Sequence, residues 1–163
     1  MDRFIQTILA EHRENWPELF DPELIPFSLA LHRGHGLLYG RACAVMGQFG
    51  LSPAEFDVLA SLRRSPAPHE LTPSQLQQAL VITSGGLTKI LHQLEQRGFI
   101  TRLTVHGDRR IKPVRLTGPA FSLIEQALAE VLRQTGERVR SALTPEEIRV
   151  MTGLLLRLAE QAP

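Results

Sequence analysis

The chain has one cysteine, Cys43, which excludes an intramolecular disulfide framework. It has one tryptophan, Trp16, and one tyrosine, Tyr39. Its apolar runs are short and broken by charge, so no membrane span is expected. Residues 1–14, MDRFIQTILAEHRE, carry acids and lack the apolar core of a signal peptide. The expected compartment is therefore the cytoplasm. The histidines His12, His69, His92 and His106 are scattered, with no zinc-ligand spacing. No Ser-His-Asp arrangement, phosphate loop or carboxylate pair points to an enzyme, and neither metal nor cofactor is expected. Net charge is only +1, so the total names no partner. What is present is apolar material for a core. Of 163 residues, 43% are hydrophobic and 21% charged, the balance of one soluble domain, with or without appended helices.

Charge is unevenly placed. Residues 1–31 set Arg3 and Arg13 against six acids. Residues 72–118 set Lys89, Arg97, Arg102, Arg109, Arg110, Lys112 and Arg115 against Glu95 and Asp108. A basic central segment in a neutral chain suits an anionic partner, although a solvated arginine-rich face has the same arithmetic.

Helix signals dominate the pattern. Phe4, Ile5, Ile8, Leu9 and His12 form one stripe over residues 2–15, and Trp16-Pro17 ends it. A long helix is expected from about Leu24 to Phe49. It contains Gly34, Gly36, Gly40 and Gly47, which cost helix propensity and so suggest close packing on another helix. Ser52-Pro53-Ala54-Glu55 is a capping box opening a helix with Phe56, Val58, Leu59 and Leu62 inward. Thr72-Pro73 opens a short helix. Thr83 or Ser84 caps the next, which runs to Arg97 and stops at Gly98. Strands are expected at Phe99–Val105 and Ile111–Leu116, flanking the charged tip His106-Gly107-Asp108-Arg109-Arg110. A long helix from Gly118 to about Leu143 and a capped last helix, 145–160, complete the chain. The last one is expected to bury Ile148, Met151, Leu154, Leu155 and Leu158.

The fold class is thus mainly α with a small β-hairpin wing: a winged helix-turn-helix plus a helical dimerisation region. The expected division is 1–49 for the N-terminal helices, 50–117 for the winged helix-turn-helix DNA-binding lobe and 118–163 for the C-terminal helices, the flanking helices being the dimerisation region that the family resemblance given below implies. In that arrangement the second helix enters the major groove and the hairpin reaches the backbone or minor groove. On helix 83–97, Ser84 and Gly85 are small groups at a terminus that attracts phosphate. Thr88, Lys89 and Gln93 can reach base edges or phosphates. Thr72, Ser74 and Thr83, at the two helix starts, join the candidate DNA contacts. Arg109, Arg110 and Lys112 supply guanidinium and ammonium groups at the wing.

The stretches LTPSQLQQAL, TSGGLTKILHQLEQRGFITR and GDRRIKPVRLT resemble the MarR-type (multiple antibiotic resistance regulator) winged-helix repressors, over roughly residues 24–160. The resemblance implies a homodimer on short palindromic operators, released by a small aromatic or anionic ligand or by cysteine oxidation. EFDVLASLRR, with ELTPSQL and TSGGLT, is similar to the urate-responsive subgroup, which adds an N-terminal helix. Trp16, Asp57 and Arg102 match that subgroup's ligand residues, Trp16 across a gap, while Ile90 stands where it has a second Arg. Losing that guanidinium removes a charge-assisted bond to an anion and points to a less charged aromatic ligand. Asp57 is expected half-buried, where burial raises its pKa. His35 and Tyr39 share a face with His32, as pocket wall or as packing. The function these features point to is a ligand-responsive transcriptional repressor. Its rivals are a redox-sensing repressor using Cys43 and a winged-helix interaction module that binds no DNA. Cys43, between Ala42 and Ala44, suits inert packing better than a reactive thiol.

Overall fold

A computed structural model describes residues 3–80, 83–103 and 113–160, with Ser84 in its backbone alone. Among the described residues eleven elements follow in order: α1 (Arg3–Asn15), a 3-10 turn (Pro17–Leu19), α2 (Leu24–Gln48), α3 (Pro53–Arg64), β1 (Glu70–Leu71), α4 (Pro73–Ala79), α5 (Ser84–Gln96), β2 (Ile100–Arg102), β3 (Val114–Leu116), α6 (Gly118–Ala142) and α7 (Pro145–Glu160). Winged-helix topology, helices dominating a small sheet, is what the pattern implied. The chain forms two compact units, one up to Arg41 and the other from Ala42 onward.

In the first unit α1 buries Ile5 and Leu9, while Phe4, on the expected stripe, stays exposed. Pro17 ends the helix because it has no N–H to continue the ladder. His12 stacks on Trp16 at 5.5 Å and meets the edge of Phe20 at 5.8 Å. Asp21 accepts the backbone N–H groups of Glu23 and Leu24, each at 2.8 Å, and so starts α2. Those bonds hold its carboxyl below the usual range.

The second unit holds the main core. Leu59, Leu62, Leu76, Leu91, Leu94, Val58, Val114 and Ile124 are each less than 2% exposed. They come from α3, α4, α5, β3 and α6, so one apolar cluster fixes the helix-turn-helix to the sheet and to α6. Two capping boxes start helices as their sequences imply: Ser52 with Glu55 for α3, and Thr72 with Gln75 for α4. At α7, Thr144 and Glu147 exchange the same pair of bonds. The sheet is antiparallel in the order β1-β3-β2, with Ile100 opposite Leu116 and Arg102 opposite Val114. The two hairpin strands are shorter than expected within the described residues; 104–112 lie outside them.

Two differences from the sequence reading matter. Strand β1 carries no pattern that announces it, since two residues are too few for an alternation. It forms because Glu70 and Leu71 pair with Arg115 and Val114. And α7 buries nothing: Met151, Leu154, Leu155 and Leu158 are all exposed, Ile148 alone being half-covered. The apolar stripe is real, but among the described residues of its own unit nothing covers it.

Candidate nucleic-acid interface

The helix-turn-helix is built from α4 and α5. Thr83 caps α5, its hydroxyl accepting the Gly86 N–H at 3.2 Å. Leu87, Leu91 and Leu94 turn inward, which leaves Gly85, Thr88, Lys89, His92 and Gln93 exposed. That outer surface holds no carboxylate. A Cβ on Gly85 would meet nothing within 4 Å, so packing inside the chain does not explain the glycine. On α4, Ser74 is exposed in the first turn, while the Thr72 hydroxyl is engaged with Gln75. Arg109, Arg110 and Lys112 lie outside the described residues, in the segment joining β2 to β3. The root of the hairpin is described: the Leu103 N–H donates to the Pro113 carbonyl at 2.9 Å.

The far end of α5 is tied down on two sides. Arg102 on β2 donates through Nε to the Glu95 carboxylate at 3.0 Å. Arg97 donates to Glu55 at 2.7 Å and to the Gly50 carbonyl at 2.9 Å. Arg115 pairs with Glu70 across β3 and β1. Burial would raise the Glu55 carboxyl, but bonds from the Ser52 backbone and hydroxyl and from Arg97 outweigh it and hold the group below its ordinary value. Neither this network nor the burial of Glu55 is foreseen by the sequence. Its signal is the capping-box glutamate, whose second carboxylate oxygen remains available to a cation.

The candidate ligand residues belong to both units and are described unit by unit. In the first unit, His35 and Tyr39 stack at 5.3 Å on the exposed side of α2. Trp16 is 53% exposed and, with Ile8, Glu11, His12 and Asn15, lines an open depression of about 640 Å³. His12 Nε2 there is buried without a hydrogen-bond partner among the described residues. In the second unit, Asp57 is exposed rather than half-buried, because α3 turns it away from the core. Partial desolvation still raises its carboxyl pKa, against the opposing charge of Arg64. The Arg102 guanidinium is already shared with Glu95. Cys43 is half-buried on α2. Among the described residues no cluster of three metal-binding side chains occurs, and no helix is long and apolar enough to cross a membrane.

These features match known proteins. A sequence profile described as MarR family matches residues 49–111. The HTH-type transcriptional regulator PecS of Dickeya dadantii is 36% identical over 149 residues, spanning 89% of this chain and 86% of PecS. A cysteine-to-serine mutant of MarR from E. coli, solved with operator DNA, superimposes with a TM-score of 0.72 at 26% identity, over 85% of this chain and 99% of that one. A MarR family regulator of Streptomyces coelicolor, solved in complex with DNA, shares the fold with a TM-score of 0.78 at 20% identity, over 90% of this chain and 91% of its own. With a 36% identical relative aligned over nearly its whole length, the chain belongs to the MarR family of winged-helix transcriptional regulators.

Proposed function

We propose that the chain is a cytoplasmic, homodimeric repressor that binds palindromic operator DNA and leaves it when a small aromatic or anionic ligand binds. The observation that carries this reading is the outer surface of α5, where small, polar and basic groups stand exposed without a carboxylate. Gly85 lets the helix N-terminus approach the groove, and Thr88, Lys89 and Gln93 read base edges or hold phosphates. Ser74 and the starts of both helices, Thr72 and Thr83, hold the backbone. Arg109, Arg110 and Lys112 grip the minor groove or its phosphates. The lobe at 50–117 binds DNA, and 1–49 with 118–163 make the dimer. Two lobes then stand about one helical turn apart, roughly 34–36 Å. The operator complex of the 26% identical E. coli protein supports DNA as the partner.

For the ligand, Trp16, His35 and Tyr39 supply aromatic surface, and Asp57 and Arg102 supply charge. With Ile90 in place of a second cation, a weakly charged aromatic molecule fits better than urate. Ligand binding weakens the operator complex through a coupling on the order of 1–3 kcal/mol.

Selection from a random pool of DNA duplexes at moderate salt tests the reading. Enrichment of a palindrome with half-sites one turn apart is the expected result. Retention without enrichment leaves only electrostatic binding. A folded dimer that retains no DNA overturns the assignment in favour of an interaction module.

A further inference from the structure

Three helix ends meet on one guanidinium. The C-terminus of α2 closes with a left-handed Gly50 (φ 66°): Gly50 N–H bonds the Gly47 carbonyl and Leu51 N–H the Met46 carbonyl, each at 3.0 Å. The C-terminus of α5 closes the same way on Gly98 (φ 72°), with Gly98 N–H to Glu95 and Phe99 N–H to Leu94, each at 2.9 Å. Arg97 is the last residue before that second glycine. Its side chain reaches the Gly50 carbonyl of the first closure and the Glu55 carboxylate in the first turn of α3. Its guanidinium lies 4.7 Å from the centre of the Phe99 ring. A cation thus sits at two negative helix ends and pairs with the anion that caps a positive one.

An exposed ion pair would contribute little. This one is different on the acidic side: the Glu55 side chain is 10% exposed and the Arg97 side chain 35%. Removing the cation leaves a mostly buried carboxylate without its counter-charge. Gly50 is constrained as well by its left-handed backbone, which L side chains rarely adopt; the Arg97 guanidinium lies at ordinary contact distance, 3.6 Å, from where a Cβ would stand. The Arg97 end of α5 lies about 18 Å along the helix axis from its N-terminus, the end proposed above to approach the groove.

We propose that Arg97 is a positioning residue for operator recognition: it locks α5 to the α2–α3 turn, so that affinity for the correct sequence depends on it although it touches no DNA. This rests on α5 reading the groove. It adds a residue whose removal changes discrimination rather than general DNA attraction.

The test uses the full-length dimer and the palindrome selected by the wild type. Arg97→Met keeps the stem on Phe99 and removes charge and donors. Arg97→Lys keeps the charge without the fork. Glu55→Gln keeps the capping box. Operator and scrambled-duplex affinities are measured across salt concentrations, well below each variant's melting temperature. The expected result is a loss of about tenfold on the operator for Arg97→Met, with the scrambled duplex and the salt slope unchanged. Arg97→Lys loses less, and Glu55→Gln adds little on top of Arg97→Met. Unchanged operator affinity in a folded variant overturns the proposal. So does an equal loss on both duplexes with the salt slope reduced by about one, which makes Arg97 a phosphate contact. If Arg97→Met does not fold, Arg97→Lys and Glu55→Gln decide by the same criteria. A wild type that enriches no sequence removes the DNA reading itself, and this proposal with it.

Discussion

Gly85 sits in the first turn of α5 with open space where a Cβ would stand. A helical glycine costs up to about 1 kcal/mol against alanine. Gly85→Ala is therefore expected to stabilise the fold by a few tenths to 1 kcal/mol, read by thermal or urea melts, while weakening operator binding because the methyl meets DNA. An affinity that does not change would free Gly85 from the interface. Glu55 offers a pH test. Its pKa is lowered on folding, so its contribution is fully present above its ordinary value of 4.5 and is lost as pH falls through the lower folded value. Asp21 and Glu147 are lowered too, so the comparison must be made between variants. Glu55→Gln should melt below the wild type at pH 7, and the gap should shrink in acid. Asp57 has the opposite sign: its raised pKa means that its charge opposes folding at neutral pH and that acid relieves this. Asp57→Asn should melt no earlier than the wild type at pH 7, bind DNA normally without ligand and respond differently to it. An unfolded Asp57→Asn dimer would make the residue structural.

Elements were legible where their signals are local. The Ser52–Glu55 and Thr72–Gln75 boxes and the Gly98 stop are written in three or four consecutive residues, and each boundary falls where those residues place it. Leu87, Ile90, Leu91 and Leu94 recur at three- and four-residue spacing, and three of them form the buried face of α5, with Ile90 half-buried beside them. Partners distant in sequence were not legible. Glu70 finds Arg115, and Arg97 finds Glu55 and Gly50, only after the core has brought the elements together. Of the site, the α5 surface was read from exposed small and basic residues. Asp57 was misplaced because one apolar neighbour on each side does not fix how far a helix face turns toward solvent. The wing carries its own prediction. Replacing Arg109 and Arg110 together by alanine should weaken binding to every duplex and reduce the salt slope by about two, if each arginine neutralises one phosphate. An unaltered slope would remove the wing from the backbone contacts.

At the scale of the whole molecule, each unit exposes apolar helix faces among its described residues. In the first unit Leu24, Phe27, Leu31, Leu37 and Tyr39 of α2 face outward, and a Cβ on Gly34, Gly36 or Gly40 would meet nothing. In the second unit Leu128 and Leu132 of α6 and Met151, Leu154, Leu155 and Leu158 of α7 do the same. Isolated exposed leucines need no explanation, but faces at helical spacing mark an interface. Obligate homodimers bury 2,000 Å² or more in apolar contact, at about 25 cal/mol per Å² before the costs of association. Leu154 and Leu158 are neighbours one turn apart, 55% and 53% exposed, so they touch little within the chain. Changing both to aspartate leaves the core around Leu59 and Leu94 intact and places two charges in the contact between copies. Sedimentation should then show a folded monomer at concentrations where the wild type is a dimer, with helix content nearly unchanged. Binding to the full palindrome should fall toward the affinity for one half-site, because the second lobe no longer arrives at a fixed spacing and its effective concentration is lost. A doubly substituted chain that still sediments as a dimer would place the subunit contact elsewhere than α7.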